Sequence, residues 1–507
     1  QFLYFIGWIA LLMAHTFHRC VAAAMIAVAC IAVGAAALHE DEAGDHDWVR
    51  PGLGHAHLAA FPPSIGKSSK PVHVATRRNV VASFSTVRGT MRWRHVLGAN
   101  DNVTCLAATE QIVVVGTESG LLLALDAATG KLFRSLPVAI PATAPDARVA
   151  GCAFVAAAGS ADAAIKALVV APSGAWTVSL TTQAGYLPAA LEGADTKLVQ
   201  ALAGLDGAAV RTATYTNVKG GARVLVAVLK DGTATLVKDG AASKAVPATD
   251  SKHRDVLKRG TFASGTPELT LHSCGGGAVL TLNDDGSAIA SAKALATDAV
   301  KLTATAQAAV TPEGFLELAK EPTGLRERAG TAPKLLAARA SDDGERVEAL
   351  VASSSGAFQY LKLKAGAPAG SWIVEGGLGD AHSVLFPKRR GDLVAADARP
   401  TREHKFGLRD RIVLVSRHGA LFALRTGDGG NSTEWAAFPA GDATIHYAAA
   451  RNRCFSVRSL TDGDDLVVVR LEFRATDAHP AALAVQLSYD VFTGALVSHA
   501  SAPAADA

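Results

Sequence analysis

Val74 to Leu97 reads VATRRNVVASFSTVRGTMRWRHVL, and its spacing predicts three short antiparallel strands. Val74-Ala75-Thr76 ends the first, Arg77-Arg78-Asn79 turns, and Val80 to Phe84 forms the second. Ser85 to Gly89 turns again, and Thr90 to Leu97 forms the third. Met91, Trp93, His95 and Leu97 alternate with Arg92, Arg94 and Val96, the two-residue period of a strand with unlike faces. Asn79 and Gly89 stand where tight turns favour positive φ.

The unit recurs. Gln111 to Leu136 reads QIVVVGTESGLLLALDAATGKLFRSL, with Gly120 in the place of Asn79 and Gly130 in that of Gly89. Arg411 to Trp435 reads RIVLVSRHGALFALRTGDGGNSTEW, with Gly419 and Gly429 in the same two slots. A strand-turn-strand-turn-strand unit cannot bury itself alone, and its repetition along a chain predicts a β-propeller. The aromatic near the end of each unit, Trp93, Phe133 or Trp435, is expected to wedge between blades, at a distance from the preceding glycine that varies by a residue or two.

The 507 residues allow one large propeller and part of another domain. Apolar content is 49%, enough for a sizeable core, but much of it is alanine, so Val, Leu and Phe carry the packing. A net charge of only +3 argues against nucleic acid as the main partner. Of the six cysteines, Cys20 and Cys30 lie in the apolar N-terminal region and Cys105, Cys152, Cys274 and Cys454 in the body. There is no CxxC pair and no Cys/His cluster, so no zinc site is predicted. In an oxidising compartment a disulfide such as Cys105 to Cys152 is one outcome and buried free thiols the other; sequence does not choose between them.

From Met13 the chain reads as a signal peptide: a basic start ending at Arg19, an apolar run from Val21 to Val33, and small residues Ala35-Ala36-Ala37 at the cleavage point. Residues 1–37 are therefore expected to be an upstream extension plus signal peptide, the alternative being a signal anchor. His39 and His46 in an acidic stretch, and His55 and His57 in a His-x-His, read as ordinary strand and loop residues, since two ligands do not make a metal site. Strand runs then alternate with turn signals such as Asp231-Gly232 and Ser355-Gly356 to about residue 395. At roughly 40 to 50 residues per blade, residues 38–395 hold a first propeller of seven or eight blades. Residues 396–507 are expected to begin a second, truncated one. Helical periodicity is scarce, and Pro333 to Ala340 is its best short candidate. The basic stretch from Phe386 to Arg411 reads as an exposed linker, the alternative being a face for anionic lipid or an acidic partner.

No nucleophile elbow, P-loop, His-Glu-x-x-His or Rossmann glycine pattern occurs. Cys274-Gly275-Gly276-Gly277 lacks the Lys and Ser/Thr of a phosphate loop. Leu282 to Gly286 lacks the closing Glu of a calcium loop and reads as a hairpin turn. No catalytic, cofactor-binding or metal-binding residue is nominated. Two sequons, at Asn102 and Asn431, fall in loops and are candidate glycosylation sites. Trp93, Gly89, Gly120, Gly130, Gly419 and Gly429 are nominated as structural blade residues.

The run VATRRNVVASFS...GTMRWRHVL resembles the first blade of the subunit 1 family of the endoplasmic reticulum membrane protein complex. LHEDEAGDHDW (Leu38 to Trp48) is similar to the mature start of that family, and Phe406 to Gly429 to the opening of a later blade. The resemblance implies a non-catalytic luminal scaffold at the endoplasmic reticulum membrane. Its implied partners are the other subunits of the complex and client multi-pass and tail-anchored membrane proteins. Family chains continue through a second propeller to a transmembrane helix near their end, so membrane association is expected through the complex or through a helix missing here, and the sequence is expected to be partial. Two other readings stand beside it. A quinoprotein-like dehydrogenase shares the blade pattern Leu125 to Gly130, and a stand-alone propeller would bind peptides or misfolded proteins in the lumen.

Overall fold

The structure is a computed structural model. It describes residues 52–503 apart from several internal segments, the longest being 183–198, 323–333 and 386–410. The expected signal peptide lies outside the described residues.

The described chain folds into nine antiparallel sheets, each a path of four strands taken in chain order. The first comprises Ala56–Ala60, Val72–Thr76, Val80–Phe84 and Met91–Val96. The second comprises Val103–Ala108, Ile112–Thr117, Leu121–Asp126 and Leu132–Pro137. The first strands of successive sheets touch one another. Ala56–Ala60 meets Val103–Ala108, which meets Arg148–Ala156, which meets Val210–Asn217, which meets Thr261–Phe262. Beyond that strand, Ser264 donates its N–H to Leu336 O at 2.9 Å and accepts from Ala338 N at 2.8 Å. This ties the fifth sheet to Lys334–Ala340, the first strand of the seventh, which in turn meets Ala56–Ala60.

Six sheets thus close a ring, and each junction has its own apolar cluster. Val81, Trp93, Leu106 and Val113 pack between the first and second sheets, and Val114, Leu122, Val149 and Ile165 between the second and third. Leu168, Val210 and Leu225 fill the next junction. Val226, Leu236, Leu271 and Leu280 fill the one after it, together with Val256 and Leu257 of a helix, Ser251–Arg259. Ala263, Leu335 and Val347 join the fifth sheet to the seventh; Val74, Phe84, Leu350 and Phe358 join the seventh to the first.

Within one strand the split follows the pleat. Ile112 and Val114 face the third sheet, while Val113 and Val115 face the first. Burial on both faces explains why these middle strands read as unbroken apolar runs rather than alternating ones. Seven sheets lie between Ala56 and Glu375, and six of them close the ring where seven or eight blades were expected; the sixth in chain order, from Val300 to Pro322, lies between two sheets that also touch directly.

The eighth sheet takes Ala381–Leu385, Arg411–Ser416, Leu421–Arg425 and Thr433–Ala437, and the ninth runs from Phe455 to Pro503. The two share a core of Val413, Leu421, Val469, Leu487 and Tyr489. The expected division at 395/396 falls outside the described residues, and the eighth sheet begins before it. The helix expected over Pro333 to Ala340 is not found in its described part: Lys334–Ala340 is a strand buried along nearly its whole length. Its Leu- and Ala-rich composition favours helix only weakly, and two packed neighbours override that preference. The helices among the described residues include Ser251–Arg259 and Pro439–His446.

Candidate functional site

The turns that build the blades also build the surfaces at the two ends of the ring. Asn79 has φ 59°, Gly89 69°, Gly120 77°, Gly130 72° and Gly419 79°. In the second sheet, Asp126 Oδ1 accepts from Ala128 N (2.9 Å), Thr129 N (2.7 Å) and Thr129 Oγ1 (2.9 Å), and Gly130 N donates to Asp126 O at 2.8 Å. Asp490 holds Phe492, Thr493 and Gly494 in the same way. Partial burial opposes ionisation of Asp126, but the bonds from Thr129 and Ala128 outweigh it and hold the carboxyl below its usual range.

Each such turn receives a tryptophan from the preceding blade. A Cβ built on Gly130 would lie 2.5 Å from the Trp93 indole, on Gly494 2.6 Å from Trp435, and on Gly89 2.7 Å from Trp372. Trp93 Nε1 also donates to Ala127 O at 3.0 Å. Trp93 and Trp435 take the wedge positions expected of them; Phe133 does not, being 42% exposed. Gly130 to Phe133 is one residue shorter than Gly89 to Trp93, and a one-residue slip in a strand turns the side chain to the opposite face. Gly429 lies outside the described residues, as does Asn431. Asn102 is exposed, and its Nδ2 donates to Glu118 Oε2 at 2.8 Å.

At the end of the ring where the first strand begins, a cavity of about 460 Å³ is lined by His57, Arg77, Arg78, Asn79, Asn102, Val103, Arg417 and His418. Three pieces of chain meet there. His57 lies on the first strand, Arg77 to Asn79 form the turn after Val72–Thr76, and Arg417 and His418 form the turn after Arg411–Ser416 of the eighth sheet. The eighth sheet also touches the first through the His418 ring, 4.5 Å from that of buried His55, and through Arg78 Nη2, 3.5 Å from Ala381 O.

The local field is positive. Burial, and then His418, Lys334, Arg77 and His57, push the His55 imidazole well below its ordinary value. Burial pulls His57 to about 4, against the hydrogen bond to the Val103 carbonyl at 2.8 Å and with help from Arg77 and Lys334. Burial and Arg77 pull Lys334 to about 8; burial and Lys334 pull His272 to about 3. Lys334 and Arg77, the basic side chains common to these shifts, are both cations. Asn79 uses its amide nitrogen on Gly98 O (2.9 Å) and Ala99 O (3.0 Å), which fixes the amide and leaves Oδ1 buried with no hydrogen-bond partner.

Sequence reading brought Asn79, Asn102 and the His55/His57 pair forward one at a time. It missed that Asn79, Asn102 and His57 share a cavity with Arg417, since the only signal was the repeated turn position. Cys105 and Cys152 are joined in a disulfide that pins the second sheet to the third. Among the described residues no group of three or more His, Cys, Asp or Glu is placed to hold a metal, and no helix is long and apolar enough to cross a membrane.

Residues 37–240 match the family model described as the EMC1 N-terminal beta-propeller domain. The matched stretch covers the first three sheets and the first three strands of the fourth. Among solved structures, the chain is similar to a protein of unknown function from Bacteroides caccae, at 12% identity over 48% of this chain and 83% of that one, with a TM-score of 0.33.

Proposed function

From the match of residues 37–240 to the EMC1 N-terminal propeller domain, we propose that the chain is a non-catalytic scaffold subunit of the endoplasmic reticulum membrane protein complex. On this reading it sits on the luminal side of the membrane. It holds other subunits of the complex and supports insertion of multi-pass and tail-anchored clients. The family match over residues 37–240 carries the proposal.

The physics of the ring is compatible with such work. Two-faced burial and the Trp–Gly contacts make a rigid body, while the turns and the exposed outer strands, such as Met91–Val96, leave broad rims for partners. Asn102, exposed beside a strand start, is the described candidate for a glycan added in that compartment.

The test is native purification of the tagged full-length protein from solubilised membranes, with mass spectrometry of what travels with it. A stable multi-subunit membrane assembly is the expected result. A lone monomer would overturn the scaffold reading, and a stoichiometric bound quinone in its absorbance spectrum would replace it with an enzyme.

A further inference from the structure

We propose that the cavity between the first and eighth sheets is a binding site for a small phosphate-class oxyanion, an inference independent of the scaffold reading. Three guanidiniums, Arg77, Arg78 and Arg417, line it with two imidazoles and two carboxamides, and its described lining contains no carboxylate. Guanidinium is the side chain best matched to phosphate, because its planar fork offers paired N–H donors to two oxygens at once.

The surroundings reinforce the sign. Lys334, only 8% exposed, and Arg77 both act on the buried imidazoles nearby, so an anion entering here relieves cation–cation repulsion already present in the fold. The volume of about 460 Å³ admits a small molecule but not a folded partner.

Binding is measured by calorimetry on the full chain with inorganic phosphate and with sulfate at low ionic strength. Phosphate is expected to bind, and sulfate, of like charge, to compete for the same guanidiniums. Arg417→Gln, at an exposed turn where folding is not at stake, should weaken phosphate roughly tenfold or more. Arg94→Gln, on an exposed outer-strand position, should leave it unchanged.

A parallel arm uses vesicles of phosphatidylcholine containing phosphatidylinositol phosphate. Sedimentation with vesicles that Arg417→Gln abolishes assigns the phosphate to a lipid headgroup; binding of the soluble ion alone assigns it to a free ligand. No binding in either arm, or an Arg417→Gln protein that binds as the parent does, would each overturn the proposal.

Discussion

Trp372, on the last strand of the seventh sheet, lies against Gly89 in the first, so that a Cβ at Gly89 would come within 2.7 Å of the indole. Trp93 makes the same contact with Gly130, from the first sheet to the second. The ring is therefore sealed with the device that joins its consecutive blades. Gly89 also has φ 69°, which an L side chain adopts only with strain. Gly89→Ala should cost about 2–4 kcal/mol from backbone strain and overpacking together. Gly370→Ala, where a Cβ would meet nothing within 4 Å, should change stability little. Chemical denaturation of the two variants checks the contrast.

The buried histidines predict acid sensitivity. Burial pulls His57 to about 4, and His73 and His272 to about 3, while the same residues in the unfolded chain titrate near 6.5. Between those values the unfolded chain binds protons that the folded one refuses. Their contribution is flat above about pH 7 and falls as pH drops through 6.5, with a slope of up to about 1.4 kcal/mol per pH unit for each histidine. Melting temperatures from pH 7.5 to 4.5 should show the decline. His73→Phe, beside the Trp93 ring at 5.6 Å, should flatten it. A slope unchanged in that variant would remove His73 from the account.

Arg453, 2% exposed, donates to four backbone carbonyls: Arg474 O at 2.6 Å, Ala449 O at 3.2 Å, Phe473 O at 3.0 Å and Ala481 O at 2.7 Å. Arg453→Met leaves them unmet and should destabilise the eighth and ninth sheets by roughly 3 kcal/mol or more. Lysine cannot span the set, so Arg453→Lys should rescue little. Hydrogen exchange is the readout, with protection lost at Leu466–Phe473 and kept at Ile112–Thr117.

Removing the Cys105–Cys152 bridge, which closes a separation of 47 residues, should lower stability by about 2–4 kcal/mol. The double Cys→Ser protein should keep its strand signal by circular dichroism and unfold at lower denaturant. The parent should fall to the same midpoint in reductant.

The blade turns were legible because their conformation demands a residue type. A glycine or asparagine at a fixed step after a strand marks positive φ, and Asn79, Gly89, Gly120 and Gly130 all stand there. Trp372 was not legible. The turn before its strand places Ala365 at φ 49°, so the positive-φ slot holds an alanine where the other blades have glycine. Phe133 misled because counting residues from a glycine ignores the parity of the strand. Lys334–Ala340 misled because alanine and leucine do not say which element will bury them. The cavity was invisible for another reason. Arg78 and Arg417 are remote in the chain, and only ring closure with the docking of the eighth sheet brings their turns together.

Sealing the ring by its seventh sheet sets a schedule for synthesis. As the nascent polypeptide leaves the ribosome, the arc from Ala56 onward keeps a raw apolar flank at Val74, Phe84 and Gly89 until Leu350, Phe358 and Trp372 have emerged. At roughly 5–20 residues per second that interval lasts tens of seconds, long enough for an unsealed arc to need shielding from its neighbours on the same message.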